Sequence, residues 1–340
     1  MWPMKQFLIH RWFLIALVTM LAIGSCFAVQ LYPLMALELP GTQLPLRSAI
    51  VAIVLFLMAF PLEASAMWQA MRRPWPPLLA VGVNFGLLPL FAWGVSCGLN
   101  ADLGGGLLVA AATPCTLASA AVWTRRAGGN DAVAILVTII TNLLCFIATP
   151  LWLLTMTGES VTSPELSLAK MATNLGSLVV FPMIAAQLLR FYKPLGIWAT
   201  REKPMLSVLA QCGLLTMVLF GAIQSGLGFS DPTQSQLSAL DLLTMLAAVC
   251  LVHTVMLWVG LVLAKLARFS REDQIAVAFA GSQKTLMVGL LMAISLKVSI
   301  LPMVAYHVSQ LFIDTLIADR FRSTSESGDP TSAIAPTRPA

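Results

Sequence analysis

Ten runs of mostly apolar residues, each close to the same length, recur along the chain at roughly 12–31, 47–66, 77–98, 104–123, 131–154, 167–189, 205–226, 241–264, 274–296 and 300–319. A helix needs about 20 such residues to cross a bilayer. Backbone in lipid must satisfy its own hydrogen bonds, which a helix does internally. The pattern predicts an all-α membrane protein of ten transmembrane helices. Only 10% of the 340 residues are charged and mean hydropathy is +0.86, against about 25% charged in an ordinary soluble domain. That leaves too little charge to cover a globule, which excludes a soluble enzyme, a disordered protein and a nucleic-acid binder. Lys5 and Arg11 ahead of the first run, with Ile23-Gly24-Ser25-Cys26 inside it, outline a signal peptide. The apolar character continues through Phe27, Ala28 and Val29, so an uncleaved span is predicted instead. Residues 1–322 read as one transmembrane unit, and 323–340, rich in Ser, Thr and Pro, as a disordered tail. Cys26, Cys97, Cys115, Cys145, Cys212 and Cys250 lie in or beside apolar runs, without the loop spacing of a disulfide framework or metal cluster.

The basic residues orient the spans. With an even number of crossings both termini share a side. That side carries Lys5, Arg11, Arg72, Arg73, Arg125, Arg126, Arg190, Lys193, Arg201, Lys203, Lys265, Arg268, Arg271, Arg320, Arg322 and Arg338, and the other only Arg47, Lys170 and Lys297. Glu38, Asp102, Glu159, Glu165, Asp231 and Asp241 fall on or near the sparse side. The positive-inside bias makes the rich face cytoplasmic, with a bacterial inner membrane as the expected location.

Ten spans divide into two sets of five, and an odd number per half inverts one half relative to the other. Inverted repeats of this kind belong to transporters, whose sites lie at midplane where interrupted helices meet. Span 4 carries Thr113-Pro114-Cys115-Thr116 about ten residues from its start, and span 9 carries Gly281-Ser282-Gln283-Lys284-Thr285 at the matching depth. Pro114 removes a backbone donor, and each break opens carbonyls and amides. Lys284 is the one of the twenty basic residues that falls on neither face. At that depth an ammonium costs at least about 2.5–3.5 kcal/mol, so it has to face the interior and find partners. Half-helix N-termini and this charge favour an anion. Asn84, Ser119, Thr138, Thr141, Asn142, His253, His307 and Gln310 lie at similar depth. Singly, such groups serve helix packing. His253 reads as an interhelical hydrogen bond, and His307 and Gln310 share a face three residues apart. Glu63 and Asp314 are expected to pair with inner-face arginines, leaving no carboxylate at midplane.

Thr113 to Ser119, followed by Thr124-Arg125-Arg126-Ala127-Gly128-Gly129-Asn130-Asp131, resembles the span 4 to span 5 signature of the bile acid:sodium symporter family. Gly281 to Thr285 and Tyr306-His307 to Gln310 are similar to the branch around the seventh vertebrate bile-acid carrier. The resemblance covers spans 2 to 10. It implies a panel domain (12–66 and 167–226) and a core domain (77–154 and 241–319), with discontinuous helices 4 and 9 crossed in the core. It also implies sodium held from spans 3, 4, 5 and 9, where Ser119, Thr138 and Gln283 match in type and Asn84 stands at an amide position. Ala120, Ala134 and Phe279 depart, standing where sodium-coupled members carry an asparagine, a serine-like residue and a glutamate, and Lys284 replaces a neutral amide. Like charges at 4 Å cost about 4 kcal/mol at an effective dielectric of 20, so Lys284 is expected to take the cation's place.

These features lead to a secondary transporter of a small organic anion, of carboxylate type, bile-acid-like or smaller, working by alternating access without sodium. Its candidate site residues are Asn84, Thr113, Pro114, Cys115, Thr116, Ser119, Thr138, Asn142, Ser282, Gln283, Lys284, Thr285, His307 and Gln310. The alternatives are coupling to Na+ or H+, the latter through Lys284 or His307, a channel, and a non-transporting membrane regulator. An intramembrane enzyme would need an acid or nucleophile pair, or a motif such as HExxH, and no such pattern occurs. No cofactor or nucleic acid is implied. Asn174, Gln187 and Gln211 are the polar residues expected on an otherwise aliphatic panel.

Overall fold

The structure, a computed structural model, describes residues 4–42, 44–62, 72–117, 119–157, 168–230 and 237–326. Glu63, Glu159, Glu165, Asp231, Arg338 and the tail beyond 326 lie outside the described residues. The described residues are helical almost throughout: α1 (Met4–Cys26), α2 (Ala28–Leu31), α3 (Leu46–Ala59), α4 (Trp75–Gly82), α5 (Leu88–Ser96), α6 (Ala101–Ala112), α7 (Ser119–Arg126), α8 (Asp131–Thr157), α9 (Leu168–Leu175), α10 (Phe181–Arg190), α11 (Lys193–Arg201), α12 (Lys203–Ser230), α13 (Ala239–Leu266), α14 (Arg271–Ser282), α15 (Leu286–Leu296) and α16 (Leu301–Glu326). Among the described residues seven helical stretches are long and apolar enough to cross a membrane, or eight if the pair Ile15–Cys26 and Ala28–Ala36, bent by 93°, is one span. Three of the ten expected runs therefore fall outside these seven. The first bends at Phe27, the second is helical over the 14 residues Leu46–Ala59, and the fourth is α6 and α7 with a gap between. Hydropathy is blind to backbone direction, which is why the first run looked continuous. At the C-terminal end α16 passes the expected boundary at 322 and continues to Glu326.

Prolines set the local geometry of two spans. The turns Val83–Leu87 and Gly176–Val180 are π-helical and are followed at once by Pro89 and Pro182. A proline inside a helix cannot return a hydrogen bond, and widening the preceding turn absorbs the loss. Between α4 and α5, Leu88 N–H bonds to Val83 O, and Pro89 has no N–H to offer Asn84 or Phe85. Those two carbonyls are left to find other donors.

The half-helices α6 and α14 are built alike. Each is 12 residues long, each starts on a side-chain cap (Asn100 to Asp102 N, Ser270 to Asp273 N), and each ends at an extended residue, Thr113 or Gln283. Acidic first turns suit the positive end of the helix dipole. A Cβ on Gly106 would overlap Ser299 O, so only glycine lets α6 pass the start of α16. Gly128, at φ +79, turns the chain from α7 into α8. Asn130 then ties that turn to the start of α14, its N–H reaching Glu272 O at 2.9 Å and its Nδ2 reaching Asp273 Oδ1 at 2.8 Å. The Gly128-Gly129-Asn130 signature is thus a joint at the end of the crossing helices.

Candidate functional site

The breaks after α6 and α14 meet. Thr285 N donates to Pro114 O at 2.9 Å, joining the two interruptions by their backbones. Lys284 between them is fully buried. Its Nζ donates to Asn84 O (2.7 Å), Asn84 Oδ1 (3.0 Å) and Thr113 O (2.8 Å), and it lies 5.4 Å from the centre of the Phe85 ring. Three acceptors match the three donors of an ammonium; a neutral amine would turn a lone pair on one of them. The aromatic face adds a further contact suited to a cation. Asn84 O is one carbonyl released by Pro89. The other, Phe85 O, accepts from Trp152 Nε1 of α8.

Nearly every group opened by the breaks has a protein partner. Asn84 Nδ2 lies within reach of Ala280 O, Gly281 O and Gln283 O, at 3.1, 3.3 and 2.9 Å, capping α14. Thr149 Oγ1 caps α6 through Ala112 O at 2.7 Å. Cys115 N donates to Thr141 Oγ1, and Asn142 Nδ2 donates to Cys115 O at 2.8 Å. Thr138 Oγ1 donates to Thr116 O at 3.0 Å, and Thr116 Oγ1 accepts from Ser119 N at the start of α7. Gln310 clasps the backbone of Lys284, accepting from its N–H at 2.9 Å and donating to its carbonyl at 3.0 Å, and its Nε2 also lies 3.0 Å from His307 Nδ1. Ser282 Oγ folds back on its own helix while Ser282 O accepts from Tyr306 OH. Asn142 Oδ1 is one of two buried side-chain atoms without a partner among the described residues, the other being Thr124 Oγ1.

The predicted site residues are therefore brought together at one crossing, and the structure adds four that the sequence did not single out there: Phe85, Thr149, Trp152 and Asp314. Asp314 corrects an expectation. It pairs with His253 Nε2 at 2.9 Å and accepts from Gln283 Nε2, fully buried, and among the described residues no arginine pairs with it. A carboxylate does sit beside the breaks. The reason is that α16 outlasts its apolar run, so Asp314 lies near the middle of a 26-residue helix, one turn past Gln310 on the same face. His253 does make the interhelical bond expected of it. On the panel side Gln187 holds Ala59 O and Leu62 O, capping α3, while Asn174 is exposed and Gln211 half-buried.

The residues matched to sodium ligands do not fit that ion. The Asn84 oxygens hold the Lys284 ammonium, Gln283 Oε1 accepts from Ser119 Oγ at 2.9 Å, and Thr138 is turned to the Thr116 carbonyl. An ammonium 3.0 Å from the shared amide oxygen repels a second cation.

Interrupted helices crossing around a fixed buried charge, within a bundle of membrane-spanning length, define a multi-pass membrane transporter. The chain belongs to the SBF-like CPA transporter family, whose model matches residues 11–323. It is 29% identical over 303 residues to a Pseudomonas aeruginosa protein named "uncharacterized protein PA2026", covering 85% of this chain and 87% of that one. It is 29% identical over 182 residues to a Bacillus subtilis protein named "uncharacterized sodium-dependent transporter YocS" (52% and 56% covered). Sodium/bile acid cotransporter 7-B of Xenopus laevis is 26% identical over 230 residues, 64% of each chain. The resemblance to the bile acid:sodium symporters and to their seventh vertebrate branch holds, and with it a transporter rather than an enzyme.

Proposed function

We propose that this protein is a secondary carrier of a small organic anion, carboxylate-type and bile-acid-like or smaller, working by alternating access. The observation that carries this reading is Lys284, an ammonium fixed at the meeting point of two broken helices. Its three N–H groups are engaged by protein oxygens, so it acts on a substrate through its field rather than by direct contact. In this reading the charge built into the chain does the work of a bound cation, and transport is independent of sodium. The chain forms ten spans in two inverted halves, a division supported by the matched lengths, caps and extended ends of α6 and α14. Panel (12–66 and 167–226) and core (77–154 and 241–319) move against each other, with the basic face and both termini in the cytoplasm of a bacterial inner membrane.

The test is equilibrium binding of radiolabelled taurocholate, pyruvate and succinate to the purified full chain. Binding of at least one, weakened tenfold or more in Lys284→Gln, is expected, tenfold corresponding to about 1.4 kcal/mol. A folded protein that binds none of the three overturns the reading in favour of a membrane regulator. Sodium coupling is the second reading, favoured by the names of YocS and the Xenopus relative.

A further inference from the structure

His253 and Asp314 are both fully buried, on α13 and α16, and face each other at 2.9 Å. The other ring nitrogen of His253, Nδ1, faces Ser282 O at 3.3 Å. Both nitrogens thus meet oxygen acceptors. A neutral imidazole carries one N–H and one lone pair, so neutral His253 beside ionised Asp314 would set a lone pair against an oxygen. Two arrangements satisfy both contacts: the ring holds a proton on each nitrogen, or Asp314 carries a proton that it donates to Nε2 while Nδ1–H reaches Ser282 O. Both arrangements contain one proton more than a neutral histidine and a carboxylate, and that proton belongs to the pair.

The neighbours leave this pair as the exchangeable position. Lys284 has three acceptors for the three donors of an ammonium. His307 meets the Gln310 amide through Nδ1. Tyr306 packs edge-on against the His253 ring, 5.7 Å between centroids, and its hydroxyl is given to Ser282 O. Cys115 faces the cluster from the other break, donating its backbone N–H to Thr141. The stretch Trp75–Ser96 contributes no titratable side chain. Asp314 is also wired to the candidate site: Gln283 donates to it and accepts from Ser119, which in turn contacts Thr116 Oγ1 at 2.9 Å.

We propose that the His253–Asp314 pair is the proton-binding site that couples this carrier, making it a proton–anion symporter. This rests on the anion-carrier reading above. With its proton the pair is neutral and the crossing keeps the single positive charge of Lys284, which attracts an anion. When the proton leaves, the carboxylate cancels Lys284 and the attraction is lost. The released proton also leaves Nδ1 facing Ser282 O with a lone pair, so the last residue of α14 must shift, and Lys284 is two residues along. One proton enters with one anionic charge and leaves on the other side with it, so a monoanion crosses without net charge.

The first measurement needs no substrate. The chain contains three histidines, so 15N spectra of the histidine-labelled full chain in lipid nanodiscs, with infrared spectra of the carboxyl stretch, locate the shared proton. A doubly protonated His253 or a protonated Asp314 at neutral pH, with that extra proton lost on alkaline titration and absent in Asp314→Asn, is expected. A singly protonated His253 beside an ionised Asp314 throughout the range overturns the proposal. Whichever of taurocholate, pyruvate and succinate binds is then followed into proteoliposomes. An acid-outside gradient of about one pH unit should concentrate a monoanion about tenfold. Asp314→Asn should lose that accumulation, and its residual uptake should be flat with pH; if it misfolds, His253→Gln serves. Accumulation indifferent to the gradient, or an unchanged pH profile in the variant, overturns the coupling. If none of the three anions binds, the carrier reading fails and the spectra alone decide the proton site.

Discussion

Replacing Lys284 by methionine keeps an unbranched apolar stem one heavy atom shorter and removes the ammonium. Asn84 O, Asn84 Oδ1 and Thr113 O are then left facing one another without a donor. Hydrogen bonds to a charged group contribute about 1.5–3 kcal/mol each, so the gross loss over three is about 4.5–9 kcal/mol. Relief of the ammonium's own desolvation, several kcal/mol, offsets part of that. A net loss of about 3–5 kcal/mol remains, the range found when one member of a buried charged group is removed. At about 2 °C per kcal/mol for a chain of this size, melting in detergent should fall by about 6–10 °C. A salt series adds the decisive arm. The space vacated by the ammonium is lined by three oxygens, so Lys284→Met should gain stability when choline chloride is replaced by sodium chloride, by about 2.7 kcal/mol at a hundredfold excess over the dissociation constant. Wild type should melt alike in both salts. If wild type is stabilised by sodium and the variant is not, the reasoning that the lysine occupies the cation's place is refuted.

Asn84→Leu removes the amide that caps the end of α14 and one acceptor of Lys284, the side-chain Oδ1, while the backbone carbonyl stays, and should destabilise by about 3–5 kcal/mol, read as a fall in melting temperature. Trp152→Phe keeps the ring packing but strands Phe85 O, expected at about 1–3 kcal/mol in the same assay. By contrast Arg126→Ala breaks a pair with Asp319 whose side chains are 43% and 54% exposed, and should change stability by less than about 1 kcal/mol.

Much of the crossing was legible in one dimension. Pro114 and the Gly281 to Thr285 stretch mark equivalent depths, and Lys284 stands out because no surface is near enough to receive it. What stayed hidden depends on geometry that spacing does not carry. Asn84 was visible as a polar residue at depth, but its three-way role arises from a π turn forced by Pro89 and from partners 196 to 200 residues away. Counting back four and five positions from Pro89 would have flagged Phe85 and Asn84 as carbonyls in need of donors. Asp314 was placed too shallow because depth was counted from the edge of an apolar run, whereas the helix itself continues. The bend at Phe27 left no trace in hydropathy at all.

The clasp on Lys284 also imposes a schedule on synthesis. Thr113 emerges 171 residues ahead of the lysine that will satisfy its carbonyl. At about 5–20 residues per second, that interval is roughly 9–34 s. During it the first half of the chain waits at the membrane with Thr113 O, Asn84 O and Pro114 O lacking the donors that α14 and its break deliver. Chains that stop short of residue 284 retain this exposed state permanently. They are natural substrates for membrane quality control, and the arrival of one side chain separates a degradable half from a finished protein.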